Sequence, residues 1–304
     1  MNSINPFVQQ SVDWLEWLHW LLQSNPALGW VLVLAIGLIS GSFIGCLVYR
    51  LPRILLEEWK WQAEALLKDD TLETEQTPGR RRELTLWRPP SHCPACAHPV
   101  GIVGLIPLLG YALCHGRCRH CKERISLRYP VLELTCVALA AWCYAWFGLS
   151  WLGLVVWLFS LAALALAWMD AESTLLPDQL LVPLLWLGLV VNYFALLAPF
   201  ASSFWGCMGA YLFFALVAWL ARLLLEREAL GWGDVKLFAA LAAWLGWEVL
   251  PMLLLIATLS AILYMLLRQR LAGISLRNPM PFGPFLLGAG WLVMQALLLS
   301  GFPL

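Results

Sequence analysis

Apolar residues in this chain come in long uninterrupted runs rather than at helical or strand spacing. The runs are separated by short polar breaks, so the pattern predicts membrane spans instead of a water-soluble core. The first run, Leu28 to Tyr49, is long enough to cross a bilayer and is not expected to be a removed signal peptide, because no basic segment precedes it and no small-residue cleavage site follows. From Tyr129 to Met169 the only charged residue or histidine is Glu133, and Phe147-Gly148-Leu149-Ser150 divides the stretch into spans two and three. Gln179 to Ala221 has no Asp, Glu, Lys or Arg and breaks at Pro199 to Ser203 into spans four and five. Val235 to Gly246 predicts a short sixth span, Val249 to Leu267 a seventh and Gly283 to Ser300 an eighth. The fold class expected is therefore an all-α polytopic membrane protein of about eight transmembrane helices.

Composition agrees: 61% of residues are hydrophobic, 12% are charged and the mean hydropathy is +0.75, whereas soluble domains carry roughly 25% charged residues. The net charge of zero is uninformative because the charges are segregated. With eight spans, all 19 Lys and Arg fall on one face, most of them between Arg50 and Arg128. Basic loops stay in the cytoplasm. Both termini are then expected outside, in the periplasm of an inner-membrane protein. The N-terminal segment, with Trp14, Trp17 and Trp20 beside Asp13 and Glu16, reads as an interfacial helix. The expected organisation is an external segment over 1–27, the first span over 28–49, a small cytoplasmic insertion over 50–128 and a membrane domain over 129–304. Within the insertion, Ile54 to Lys68 reads as an amphipathic helix on the membrane surface, and Asp69 to Gly79 as an acidic connector.

Two patterns in this frame carry chemistry. Cys93-Pro94-Ala95-Cys96 and Cys118-Arg119-His120-Cys121 are paired CxxC knuckles. Four thiolates at this separation suit tetrahedral zinc, with no open position for substrate; a redox dithiol is the other chemistry the spacing allows. His92, His98, His115, His120 and Cys114 read as surplus loop residues, and Cys46, Cys136, Cys143 and Cys207 as buried apolar thiols. Gly37, Gly41 and Gly45 lie four apart in the first span and predict close helix packing. Glu133 is expected to pair with Arg128, with a substrate cation as its alternative partner.

The second pattern is a pair of aspartates at membrane boundaries. Asp170 ends the third span, where the helix dipole disfavours an anion; Asp234 opens the sixth after Gly231-Trp232-Gly233. Intramembrane carboxylates are rare and functional by default. Facing carboxylates that share one proton can activate water and polarise a carbonyl. Asp178, after Pro177, reads as the cap of the fourth span. Lys236 reads as a snorkelling anchor, with a phosphate or an oxyanion as the alternative.

Taken together, these residues resemble the bacterial type IV prepilin leader peptidases. Gly41-Ser42-Phe43, Tyr49-Arg50-Leu51-Pro52, the two knuckles, Gly116 to Cys121, Ile125 to Pro130, Asp170 with Leu176-Pro177-Asp178, and Gly231 to Lys236 all follow the family pattern over most of the chain. The resemblance implies an aspartic endopeptidase of the GxGD type with Asp170 and Asp234 catalytic. Its partners would be prepilins or pseudopilins of type IV pili or type II secretion, together with membrane lipid and no nucleic acid. It also implies N-methylation of the new terminus using S-adenosylmethionine. Here Gly104-Leu105 and Gly110 stand where the family carries an acid, an amide and a hydroxyl, groups that could bind a cationic cofactor or an amine. A transporter or a noncatalytic zinc-bearing assembly protein would not need both aspartate motifs.

Overall fold

The computed structural model describes residues 24–69, 84–225, 231–272 and 280–300. The interfacial helix expected before residue 24, and the acidic connector beyond Asp69, lie outside them. Ten helices and no strand occur among the described residues: α1 Pro26–Asp69, α2 Ile102–Leu105, α3 Leu109–Leu113, α4 Arg128–Phe147, α5 Trp151–Ser173, α6 Asp178–Tyr193, α7 Phe200–Leu225, α8 Trp232–Leu245, α9 Leu250–Ala272 and α10 Gly283–Ser300. The chain is an all-α, multi-pass membrane protein. Six of these helices, α1, α4, α5, α7, α9 and α10, are long and apolar enough to span a bilayer. The other two expected spans are shorter. Helix α6 has 16 residues and α8 has 14, lengths of about 24 and 21 Å against a hydrocarbon core of about 30 Å.

The first span and the expected surface helix are one element. Helix α1 runs for 44 residues through Pro52, about 66 Å. A proline removes one i to i−4 hydrogen bond, and the apolar and polar halves on either side are both good helix formers, so the lesion does not end the helix.

The chain divides into two compact units. Unit 1 holds the described residues up to Cys46 together with Trp87–Leu158. In it the glycine stripe of α1 lies against α4 as expected. A Cβ on Gly37 would come within 2.9 Å of Val137 Cα, and one on Gly41 within 2.6 Å of Glu133 Cα and 3.2 Å of Cys136 Cβ. Backbone is the obstacle, so it cannot yield. Gly41→Leu is expected to pry the helices apart and lower stability by about 3 kcal/mol, read as a lower melting temperature in detergent. Glu133 does not form the ion pair expected with Arg128. It is buried, and its Oε2 accepts the backbone N–H of Leu108 at 2.7 Å. Leu108 has a φ of +56° and stands at the entrance of α3, where an orphan N–H needs an acceptor.

Unit 2 holds the described residues within Leu47–Leu86 and from Phe159 onward. Its centre is α8, in which every residue from Val235 to Leu245 except Lys236 is buried. Helices α6, α7 and α10 pack against it. The alanines at 239, 240, 242 and 243 favour helix and let neighbours approach closely. Trp244 fills the space opposite Gly188 and donates its indole N–H to the Leu184 carbonyl at 2.8 Å. Gly246, with a φ of +78°, ends the helix. Its last carbonyls are held by Asn192, whose amide donates to Ala243 O at 2.9 Å, Trp244 O at 2.8 Å and Ser203 Oγ at 2.8 Å. The Asn192 Oδ1 accepts the N–H of Ala198 at 2.9 Å and of Leu197 at 3.2 Å. This buried, satisfied amide fixes the far end of the helix that carries Asp234.

Candidate functional site

Asp170 sits in the last turn of α5, where the helix stops at Thr174 with a φ of +51°. The side chain is only 5% exposed. Its Oδ2 accepts the N–H of Gly283 at 2.9 Å, which fixes the carboxylate against the start of α10. A Cβ on Gly283 would stand 2.7 Å from that oxygen and 3.1 Å from Cγ. Only glycine permits this approach. Sequence reading passed over Gly283 as a site residue. The signal available was Gly283-Pro284, a glycine directly before a proline at a helix start.

Asp234 is the third residue of α8 and is half-buried. It does not cap the helix: the cap position is Gly231, without a side-chain hydrogen bond. The preceding glycines serve close approach and not an unusual backbone, since Gly231 has a φ of −70°. A Cβ on Gly233 would lie 3.0 Å from Leu176 Cβ, and one on Gly231 3.3 Å from Asp234 Oδ2. The turn after Asp170 therefore seats directly on the turn before Asp234. The two aspartates share one site.

A second tie holds the same two turns together. Lys236 Nζ reaches both oxygens of Asp178 at 2.7 Å. Asp178 is the first residue of α6 and does not cap it, because the cap position is Pro177; its carboxylate serves Lys236 instead. Lys236, expected as a snorkelling anchor, is an ion-paired clamp at the protein edge. Nearby, Glu172 accepts the Trp168 indole N–H at 2.8 Å.

The cysteines form a separate cluster in unit 1. The Sγ atoms of Cys93, Cys96, Cys118 and Cys121 all lie within 4.8 Å of one another, with Cys93 to Cys121 at 3.7 Å and Cys96 to Cys118 at 4.0 Å. Thiolates around tetrahedral zinc stand about 3.8 Å apart, so the donor set fits. Both knuckles have the same backbone. Cys93 N–H bonds His98 O and Ala97 N–H bonds Cys93 O; Cys118 N–H bonds Glu123 O and Lys122 N–H bonds Cys118 O. Ala97 and Lys122, equivalent in the two turns, both take positive φ, 56° and 63°. Such turns aim backbone N–H groups at the sulfurs. Without a cation four adjacent thiols cannot all ionise. The N–H groups of Cys121 and His120 lower Cys118 to about 6, while Cys121, against the pull of the Glu123 N–H, is pushed up to about 12 by desolvation and its sulfur neighbours.

The remaining histidines and thiols lie apart from the four sulfurs as donors. His98 and His120 stack on each other with ring centroids 4.6 Å apart, and His92 contacts Pro90 O at 3.0 Å. Cys114 accepts from Arg119 Nε at 3.2 Å. Cys136, Cys143 and Cys207 are buried and Cys46 is half-buried; none forms a disulfide.

Comparison with known proteins adds lineage to this geometry. The bacterial peptidase A24 N-terminal domain matches residues 35–147, and the type IV leader peptidase family matches residues 157–266. A prepilin leader peptidase/N-methyltransferase of Stutzerimonas stutzeri is 37% identical over 273 residues, covering 90% of this chain and 92% of the relative. The chain belongs to the type IV leader peptidase family. Two further members of the type IV leader peptidase family carry the same name. The one from Pseudomonas putida is 39% identical over 274 residues, 90% of this chain and 92% of its own. The one from Burkholderia pseudomallei strain K96243 is 40% identical over 261 residues, 84% of this chain and 82% of its own. No solved structure matches. Both aspartates of the shared site fall inside the type IV leader peptidase match, and all four cysteines inside the N-terminal one.

Proposed function

We propose that this protein is a membrane-embedded aspartic endopeptidase that removes the basic leader from type IV prepilins and pseudopilins, with Asp170 and Asp234 as its catalytic pair. The observation that carries the reading is the seating of the two aspartate turns on one another in a family of leader peptidases. One proton shared by the pair suffices for peptide hydrolysis. The ionised carboxylate takes a proton from water as its oxygen attacks the scissile carbonyl carbon, while the protonated carboxyl gives its proton to the carbonyl oxygen. As the tetrahedral adduct collapses, the carbon–nitrogen bond breaks. The amine leaves with the proton first taken from water, and the carbonyl returns its proton to the pair.

Placement of Lys and Arg supports a bacterial inner-membrane protein with its aspartates at the cytoplasmic boundary and both termini periplasmic. A basic leader would stay in the cytoplasm, and its hydrophobic helix would lie in the bilayer beside the pair. The proposed division assigns 1–27 to an external segment, 28–49 to the first span, 50–128 to a zinc-binding insertion and 129–304 to the peptidase membrane domain.

Cys93, Cys96, Cys118 and Cys121 would hold a structural zinc ion, which supplies folding energy to the insertion and takes no part in hydrolysis. A chelator, or Cys118→Ser, is expected to release one equivalent of zinc and expose the knuckles to trypsin; elemental analysis and peptide mapping read both. Retained resistance without metal would refute the zinc assignment. The names of the relatives also carry N-methylation, with S-adenosylmethionine as the implied methyl donor.

The deciding experiment measures the intact mass of a type IV prepilin incubated in membranes containing this protein. Loss of the leader supports the peptidase. An additional methyl group on the product supports the second activity, and its absence limits the enzyme to cleavage. An unchanged precursor mass with a cognate prepilin overturns the proposal.

A further inference from the structure

We propose that the segment between the two knuckles, α2 to α3 together with Trp87, docks on the anionic lipid leaflet around α1 and α4, so that the cysteine-bearing insertion is a peripheral membrane module. Val103, Leu105, Ile106, Leu109 and Leu113 are all exposed, Leu109 to 60%. Five large aliphatic side chains exposed within eleven residues form a patch that water-soluble modules do not leave open without a partner.

Two contacts inside unit 1 fix the depth of this patch. The Leu108 N–H bonds Glu133, the sixth residue of α4, about 7.5 Å along its axis from Arg128. Helix α4 has 20 residues, about 30 Å, which only just crosses the hydrocarbon. Its second turn therefore lies within about 7.5 Å of the hydrocarbon edge, and the Ile106–Leu109 turn bonded to it is held at the same depth. The other contact is Trp87, 78% exposed, whose ring centroid lies 6.5 Å from that of Phe43. Phe43 belongs to the apolar part of α1, and a tryptophan at that height has the usual position of an interfacial anchor.

Charge selects the occupant. Arg117, Arg119, Lys122 and Arg124 follow directly after α3, with Glu123 as the one acid among them. The basic loop is folded back on the patch: Gly116 N–H bonds Tyr111 O at 3.0 Å, Arg117 N–H bonds Cys114 O at 3.0 Å and Arg119 Nε bonds Cys114 Sγ at 3.2 Å. Aliphatic residues rimmed by cations match an interface of phospholipid tails and anionic headgroups. A leader peptide is itself basic and would be repelled there.

The test places a benzophenone amino acid at Leu109 in the full-length protein, reconstituted in nanodiscs of phosphatidylethanolamine and phosphatidylglycerol. Irradiation is expected to yield adducts with the mass of phospholipid. Their yield should fall about tenfold when Arg117 and Lys122 are both replaced by serine, or when phosphatidylcholine replaces the anionic lipid. As a second measurement, Leu105→Ser with Leu109→Ser should leave melting in detergent unchanged, because both side chains are exposed, and should speed tryptic cleavage of the insertion in anionic nanodiscs. Adducts only to an added prepilin, or only to a second copy of the chain, overturn the proposal. So do absent adducts combined with unaltered proteolysis. No readout uses peptidase activity, so the outcome is independent of the catalytic assignment.

Discussion

Asp234→Asn, and separately Asp170→Asn, reduce leader cleavage by at least about a thousandfold, and the double variant is hardly worse than either alone. Acid–base assistance contributes roughly 10²- to 10⁴-fold per step, and groups that work as one unit lose their effect together. The amide is isosteric with the carboxylate. In the Asp170→Asn variant the amide oxygen can still accept the Gly283 N–H that Asp170 accepts now, so the fold is expected to survive. Intact-mass kinetics on a prepilin, paired with thermal melting of each variant in detergent, read the result. Full cleavage by either folded variant would remove both aspartates from the mechanism.

Gly283→Ala has the second largest effect, a loss of about a hundredfold in kcat with a small change in melting temperature. The added methyl would lie 2.7 Å from Asp170 Oδ2, inside the contact limit. Either the carboxylate rotates away from the shared site or α10 retreats. A displacement of about 1 Å at a reacting group costs on the order of 10² in rate. An exposed glycine such as Gly209, with open space where its Cβ would stand, is the matched control. Equal activity of the Gly283→Ala and Gly209→Ala variants would show that Asp170 does not need its present position.

Much of this site is legible in the sequence because its signals are local. A CxxC turn is four residues, and its two copies repeat one backbone pattern. Glycines four apart in α1 mark a packing face whatever they pack against, and Gly41 proves to meet α4. Asp170 and Asp234 stand out because a carboxylate in an apolar run needs a reason. Partners distant in sequence are hidden. Glu133 bonds Leu108 through a left-handed leucine that no propensity would predict. Asp178 looks like a helix cap, yet its partner is Lys236 on another helix. Asn192 is one polar residue in an apolar run, and its value lies in carbonyls about fifty residues away. The unbroken α1 was missed because Pro52 removes only one hydrogen bond, and sequence rules give that loss more weight than 44 residues of helix allow.

The burial of α8 has a consequence for how the protein reaches the membrane and tolerates it. A 14-residue segment of about 21 Å carrying Asp234 and Lys236 is a poor candidate for unaided insertion from the ribosome. Helices α6, α7 and α10 cover it, and beyond its first turn only Lys236 is not buried, so almost none of it is left for lipid to measure. Thickening or thinning the bilayer then strains the lipid-facing helices first, and the helix bearing Asp234 feels that change only through its protein neighbours.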